Sequence, residues 1–239
     1  MKLPKHTIAA AAVILLTIPF TIAAGVVFWE SRRFYFVALL MILQAMLPFV
    51  LVFEKRRPHA RELVILAVLT ALAVAGRAAF FMLPQFKPVV AMVIIAGVAF
   101  GGEAGFLVGA LSGFISNMFF GQGPWTPWQM FAFGIIGFLA GILFQRSKFS
   151  RSRLALCAFG GFAAFVIYGG LLDFHSALLF LGGRLTPEAV LIVFVQGVPF
   201  NLIHAAATVT FLAIIARPML GKLERVKIKY GLIPYIETA

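Results

Sequence analysis

The chain has 239 residues, 62% of them hydrophobic and only 12% charged, with a formal net charge of +12. A water-soluble domain of this length cannot bury that much apolar surface, so the bilayer is its solvent. The cations stand at the ends of apolar runs and not in a patch with spaced aromatics, which argues against nucleic acid as a partner, and the single cysteine, Cys157, excludes an internal disulfide and a cysteine-based zinc site.

The N-terminus begins with Lys2 and Lys5 and continues as an apolar run over 7–29. That run is long enough to span, and a second follows after four residues, so a retained helix is preferred to a cleaved signal peptide. Spans are expected at 7–29, 34–53, 62–83, 88–101, 104–120, 127–144, 154–181 and 187–216, against a need of about 20 apolar residues each. The fourth and fifth are short and must be tilted, kinked or enclosed by protein, with Gly101-Gly102 turning between them. Glu54-Lys55-Arg56-Arg57-Pro58 closes the first hairpin, and beyond residue 60 the texture becomes denser in Gly and Ala, as where helices pack closely. The expected fold is an all-α integral membrane protein: a two-helix N-terminal hairpin (1–58), a six-helix core (59–218) and a basic tail (219–239), about eight transmembrane helices in all. The absence of an internal repeat weighs against inverted-repeat transporters.

With the N-terminus inside, only Arg32, Arg33, Arg77, Lys87 and Arg184 of the 20 Lys and Arg residues fall at the outer side, leaving fifteen inside. Both termini are therefore expected in the cytoplasm. The uncharged connector 119–129, FFGQGPWTPWQ, then faces the exterior.

Several features bear on function. Ala67, Ala71, Ala75 and Ala79 form a small-xxx-small ladder on one helical face, suited either to docking a separate membrane subunit or to packing inside the core. Arg77, Asn117, Gln129, Asp173, His175 and Gln196 all lie within roughly 5–12 Å of the outer ends of their spans, counting about 1.5 Å per residue. Such a layer reads as a substrate pocket open to the exterior, or as an Arg77–Asp173 pair with the other side chains snorkelling. Asp173 and His175 are two residues apart and point to nearly opposite sides of a regular helix, whereas Tyr168 shares the His175 face. On the last span Gly197, Asn201, His204 and Thr208 form one stripe that faces protein or water, and Pro199 should kink that helix. His175 and His204 are expected at depths of about 9 and 24 Å, too far apart for joint metal ligation, so no metal site is expected. Trp125 and Trp128 suit an interfacial belt, but Pro124, Pro127, Gly121 and Gly123 give them a fixed turn, as in a ligand lid. No Walker A loop, HExxH or serine triad occurs, so any ATP hydrolysis must come from elsewhere.

The stretch 61–144, with Gly76-Arg77-Ala78-Ala79-Phe80-Phe81, Pro84-Gln85-Phe86-Lys87-Pro88, Gly101-Gly102-Glu103-Ala104-Gly105-Phe106 and the connector itself, resembles the substrate-specific S component of energy-coupling factor (ECF) transporters. The resemblance implies a six-helix, non-enzymatic subunit of a prokaryotic plasma membrane. It would bind a vitamin with high affinity and dock onto a transmembrane coupling protein with two ATPases. It also implies that Ala67, Ala71 and Ala75 are the docking ladder, that the loop Phe80–Pro88 gates the site, and that the subunit topples to carry ligand inward. The middle of the chain looks most like the cobalamin-type S components; riboflavin, thiamin or a queuosine precursor are the other ligands considered. No cofactor is implied. The substrate-binding residues expected are Arg77, Phe81, Gln85, Asn117, Trp125, Trp128, Gln129, Tyr168, Asp173, His175, Gln196 and Asn201. The competing readings are a membrane-embedded enzyme using Asp173 and His175, which their opposed phase disfavours, and a structural assembly subunit held through the alanines.

Overall fold

The computed structural model describes residues 8, 11–29, 36–37, 39–44, 60–145, 147, 149, 152–180 and 186–231. Lys2, Lys5, Arg32, Arg33, the segment Glu54–Pro58, Arg146, Lys148, Arg151, Arg184 and most of the second apolar run lie outside the described residues.

Every described element is helical. A π-helical turn, Val13–Thr17, leads into α1 (Ile18–Trp29), and residues 39–44 belong to the returning helix. The core comprises α2 (Ala60–Ala79), α3 (Val89–Phe100), α4 (Gly102–Phe120), α5 (Trp125–Phe144), α6 (Arg153–Phe162), a π-helical stretch Ala163–Gly169, α7 (Gly170–Phe180) and α8 (Pro187–Lys229). The segment from α6 through α7 is one continuous 28-residue span. Five of the helices are long and apolar enough to cross a membrane, which together with the shorter apolar ones makes this a multi-pass membrane protein.

α3 has only 12 residues, and all of them are buried. It never meets lipid, so its length is set by its neighbours and not by bilayer thickness. Glycines on α3, α4 and α5 are the reason it can be enclosed. A Cβ on Gly97 or Gly105 would land on the carbonyl of Gly137, one on Gly137 on the carbonyl of Gly105, and one on Gly141 on the Gly101–Gly102 backbone. Gly105, Gly109 and Gly113 recur every fourth residue and present one bare face of α4 to α5, where a Cβ on Gly109 would strike the Phe133 backbone. Gly101, at φ 103°, ends α3 and starts α4 without a loop between them.

The hairpin docks on the outer side of this unit. Ile14, Ile18, Ile22, Val37 and Met41 form one buried cluster with Phe106, Ala110, Phe131, Ile135 and Phe138. The basic tail expected from 219 onward is instead helical through Lys229, with α8 running unbroken through Pro199 and Pro218. Leu223 remains buried and the Lys227 ammonium donates to the Ala99 carbonyl at the end of α3, so packing holds the helix together beyond the apolar stretch.

Gly137→Leu should disrupt the three-helix contact and destabilise the protein by about 3 kcal/mol or more, since backbone cannot yield as a side chain can. Gly170→Ala, where nothing lies within 4 Å, is the matched control. Thermal denaturation in detergent, followed by size-exclusion chromatography, should show a large fall for the first and little change for the second.

Candidate functional site

Toward the end of the core where α2 stops and α5 begins, α2, α4, α5, the π-helical stretch and α8 converge on a buried polar network. Arg77, only 9% exposed, donates from Nη1 to Ser116 Oγ and, at 2.8 Å, to Asn117 Oδ1. Asn117 Nδ2 donates to Gln129 Oε1 at 2.8 Å and to Thr126 Oγ1 at 3.2 Å. Gln129 Nε2 in turn donates to the Tyr168 hydroxyl at 3.0 Å. The Tyr168 ring stacks on Phe133 at 4.8 Å and meets the His204 ring edge-on at 4.5 Å. The π-helical stretch carries Tyr168 into this layer; such insertions commonly re-aim side chains at functional positions.

Aromatic rings and the α2–α3 loop cover the network. Phe80 and Phe86 pack on Phe211 at 5.1 and 5.5 Å, and Phe81 packs on Phe120 at 5.3 Å. Phe120 also receives the Arg77 guanidinium at 4.6 Å and the Lys87 ammonium at 5.6 Å, both cation–π contacts. Lys87 donates to the carbonyls of Phe80 at 2.7 Å and Leu83 at 2.8 Å, closing the frayed end of α2 with a positive charge. Burial, and then the nearby Arg77 charge, hold the Lys87 ammonium below the usual lysine range. In the same loop Gln85 adopts φ 55°, a left-handed conformation uncommon for residues other than glycine.

A second tier lies further out. Asn201 donates to Asp173 at 2.7 Å, and a Cβ on Gly197 would strike that same carboxylate. His175 turns the other way, 5.6 Å from Trp128, with its Nε2 unpartnered. Asp173 and His175 thus serve different neighbours, as their phase required, and Arg77 bonds to Ser116 and Asn117 in place of the Arg77–Asp173 pair considered above. The stripe Gly197–Asn201–His204–Thr208 faces protein: its members pack on Asp173, Gly169, Tyr168 and Gly160. Gln196 is exposed beside it.

Two sequence expectations need correction. The connector is tighter than expected: α4 ends at Phe120, as the span 104–120 anticipated, but α5 begins at Trp125 and not at residue 127, leaving only 121–124 between them. Its fixed chemistry is that of a capped turn. Thr126 Oγ1 accepts from Gly123 N and donates to Gln122 Oε1, Gln122 Nε2 donates to the Phe114 carbonyl, and the Trp125 ring lies over Gly123. His204, assigned to greater depth, instead belongs to the Arg77–Tyr168 layer. Depth was counted from helix ends taken as level. In fact Trp128, only three residues into α5, already meets His175, with α7 continuing to Phe180 and α8 starting ten residues before Gly197.

Residues unforeseen as part of the site are His204, Lys87, Phe120, Phe211, Ser116 and Thr126. His204 was visible as a stripe member and Lys87 as the lone loop cation. Phe211 carried no local signal. Among the described residues no group of three His, Cys, Asp or Glu side chains could hold a metal ion.

The alanine ladder lies on the flank of α2 next to the face that carries Arg77. Ala67, Ala71 and Ala75 are exposed and, with Ala78, Val74, Leu111, Ile115 and Phe119, line an apolar groove of about 450 Å³ between α2 and α4. Its single hydroxyl, that of Thr70, is satisfied within α2 by the Leu66 carbonyl.

A multi-pass helical bundle with a buried polar network toward one end and a bare alanine groove on its flank is a membrane protein with two features to account for. Comparison with known proteins narrows this. The model of the family described as "ECF-type riboflavin transporter, S component" matches residues 58–225, and the chain belongs to that family. It is accordingly a substrate-binding membrane subunit of an ECF transporter, a transport component and not an enzyme. A UPF0397 protein of Vibrio atlanticus is 28% identical over 157 residues, covering 63% of this chain and 84% of that protein. A UPF0397 protein of Aliivibrio fischeri is 29% identical over 176 residues, covering 70% of this chain and 92% of the relative. No solved structure matches.

Asn117 holds the network together, since it accepts from Arg77 and donates to α5. Asn117→Leu should leave the buried guanidinium underpaired and destabilise the protein by about 2–3 kcal/mol. Asn117→Asp, which keeps the acceptor, should cost less. Unfolding midpoints in detergent check the order; equal midpoints for all three proteins would show that the network does not tie α2, α4 and α5 together.

Proposed function

We propose that this subunit captures a vitamin at the outer face of a prokaryotic plasma membrane and delivers it by docking onto a transmembrane coupling protein with two ATPases. The observation that carries this reading is the division of labour on α2. Its end gives Arg77 to the buried polar network, while the adjoining flank presents Ala67, Ala71 and Ala75 to an open groove. Small side chains let a partner helix approach closely, and a groove with no unsatisfied polar group suits a membrane partner. In this reading the six-helix unit 59–218 is the binding body, the hairpin 1–58 is an accessory, and both termini face the cytoplasm, as the charge distribution favours.

The ligand-facing residues proposed are Arg77, Asn117, Gln129 and Tyr168 in the chamber, with Phe81 and Gln85 on the loop above. Trp125, Trp128, Asp173, His175 and Asn201 form the outer approach, and Gln196 is the least supported of the set. Riboflavin is the first ligand to test. The family's description names it, and aromatic rings, the stacked Phe133–Tyr168 pair among them, border the polar network. Cobalamin, favoured by the look of the middle segment, is the second: a corrinoid is far bulkier and would have to part rings such as Phe80, Phe86 and Phe211, which stand 5.1–6.3 Å from one another.

Two measurements test this. Titrating the purified protein with riboflavin, by flavin fluorescence, and separately with cobalamin should give saturable binding of one of them below micromolar concentration; failure of both would remove the ligand assignment. Ala71→Trp should abolish co-purification with the coupling protein and ATPases while leaving ligand affinity unchanged. An intact complex would show that the groove is not the docking surface.

A further inference from the structure

Within the buried network His204 is anomalous. It is 3% exposed, yet neither of its ring nitrogens has a hydrogen-bond partner. A neutral imidazole carries one donor and one acceptor, and burying both unmet is costly. Its neighbours leave both nitrogens unmet. The Tyr168 hydroxyl takes the hydrogen bond from Gln129 and offers His204 only a ring, and Thr208 bonds back to the His204 carbonyl. The charges that act on His204 are those of Arg77 and Lys87, both positive, and the Asp173 carboxylate is held by Asn201 in the tier above. The position therefore combines an unmet donor–acceptor ring, an aromatic platform and two cations.

We propose that His204 is the specificity-determining residue of the chamber. One imidazole nitrogen pairs with the polar edge of a flat heteroaromatic ligand, an imide or lactam N–H beside carbonyls, and the carbonyl oxygens lie toward Arg77 and Lys87. Such an edge supplies the partner that the ring lacks and acceptors for the two cations, and its plane can lie against the aromatic wall. Because both nitrogens are shut off from solvent, the ligand reaches them only when the packing around His204 opens. This inference rests on the vitamin-capture reading above.

The test uses the full-length protein in detergent with riboflavin, whose imide N–H is free, and N3-methylriboflavin, in which it is blocked. Wild type should bind riboflavin about tenfold or more tightly than the methylated form, the usual scale for a buried hydrogen bond. His204→Phe, which keeps a ring and removes the nitrogens, should weaken riboflavin binding by about the same factor and erase the preference; His204→Gln should restore part of both. Unfolding midpoints monitor folding, and if His204→Phe does not fold, the glutamine variant and the wild-type preference decide. Riboflavin bound by wild type with no preference, or by the phenylalanine variant with affinity and preference intact, overturns the role of His204 and leaves vitamin capture standing. No riboflavin binding by wild type overturns the imide assignment together with riboflavin as the ligand.

Discussion

The close approach of three backbones, those of α3, α4 and α5 around Gly97, Gly105, Gly137 and Gly141, is the constraint on which the rest of this protein depends. In lipid there is little hydrophobic gain from bringing helices together, so association relies on contact area and geometry. Glycine supplies both, because removing Cβ lets whole backbone surfaces touch. A 12-residue helix can then be surrounded completely, although it could not span a bilayer alone.

That enclosure shapes the chamber. α3 is shorter than its neighbours, so the loop entering it at Phe80–Pro88 dips between longer helices and does not stand above them. Phe80 and Phe86 thereby reach Phe211, and Lys87 reaches back to the carbonyls at the end of α2. α2, unlike α3, remains exposed along one side and is free to offer that side to a partner. In the proposed reading, the fixed triad of α3, α4 and α5 supports the ligand-holding end and the exposed α2 meets the partner.

The helices were legible in the sequence because apolar length and Gly–Ala density are local properties. Arg77, Asn117 and Gln129 were identifiable, together with Asp173, His175 and Gln196, because polar groups inside a membrane are too costly to be incidental, and Tyr168 was noted only through the helical phase it shares with His175. Their hydrogen-bond order was not, since it depends on which helices adjoin. Depth reckoning misplaced His204 because the ends of α7 and α8 project beyond those of α4 and α5, and no single-helix count shows such an offset. The connector misled differently: its glycines and prolines signalled a turn correctly, but most of its length belongs to helices, and Gln122 and Thr126 are occupied in closing the turn itself.

Phe120 links the gate to the chamber. It has Arg77 on one contact, Lys87 on another and Phe81 on a third, so a single ring at the end of α4 touches both the buried network and the loop that covers it. Moving the loop outward takes Lys87 and Phe81 from that ring and leaves Arg77 as its remaining cation. An electron-rich ligand entering beneath the loop would offer Arg77 and Lys87 acceptors in place of the π-face. In the proposed reading, opening would expose the two cations to a ligand, and binding would supply the contacts that opening removes. The same exchange gives the loop a reason to close over an occupied chamber, because Lys87 can then hold the α2 carbonyls and the ligand together. Closure would be fixed by charge at the chamber, and α2, whose outer end carries both the Lys87-bonded carbonyls and Arg77, would register it along its length to the alanine groove.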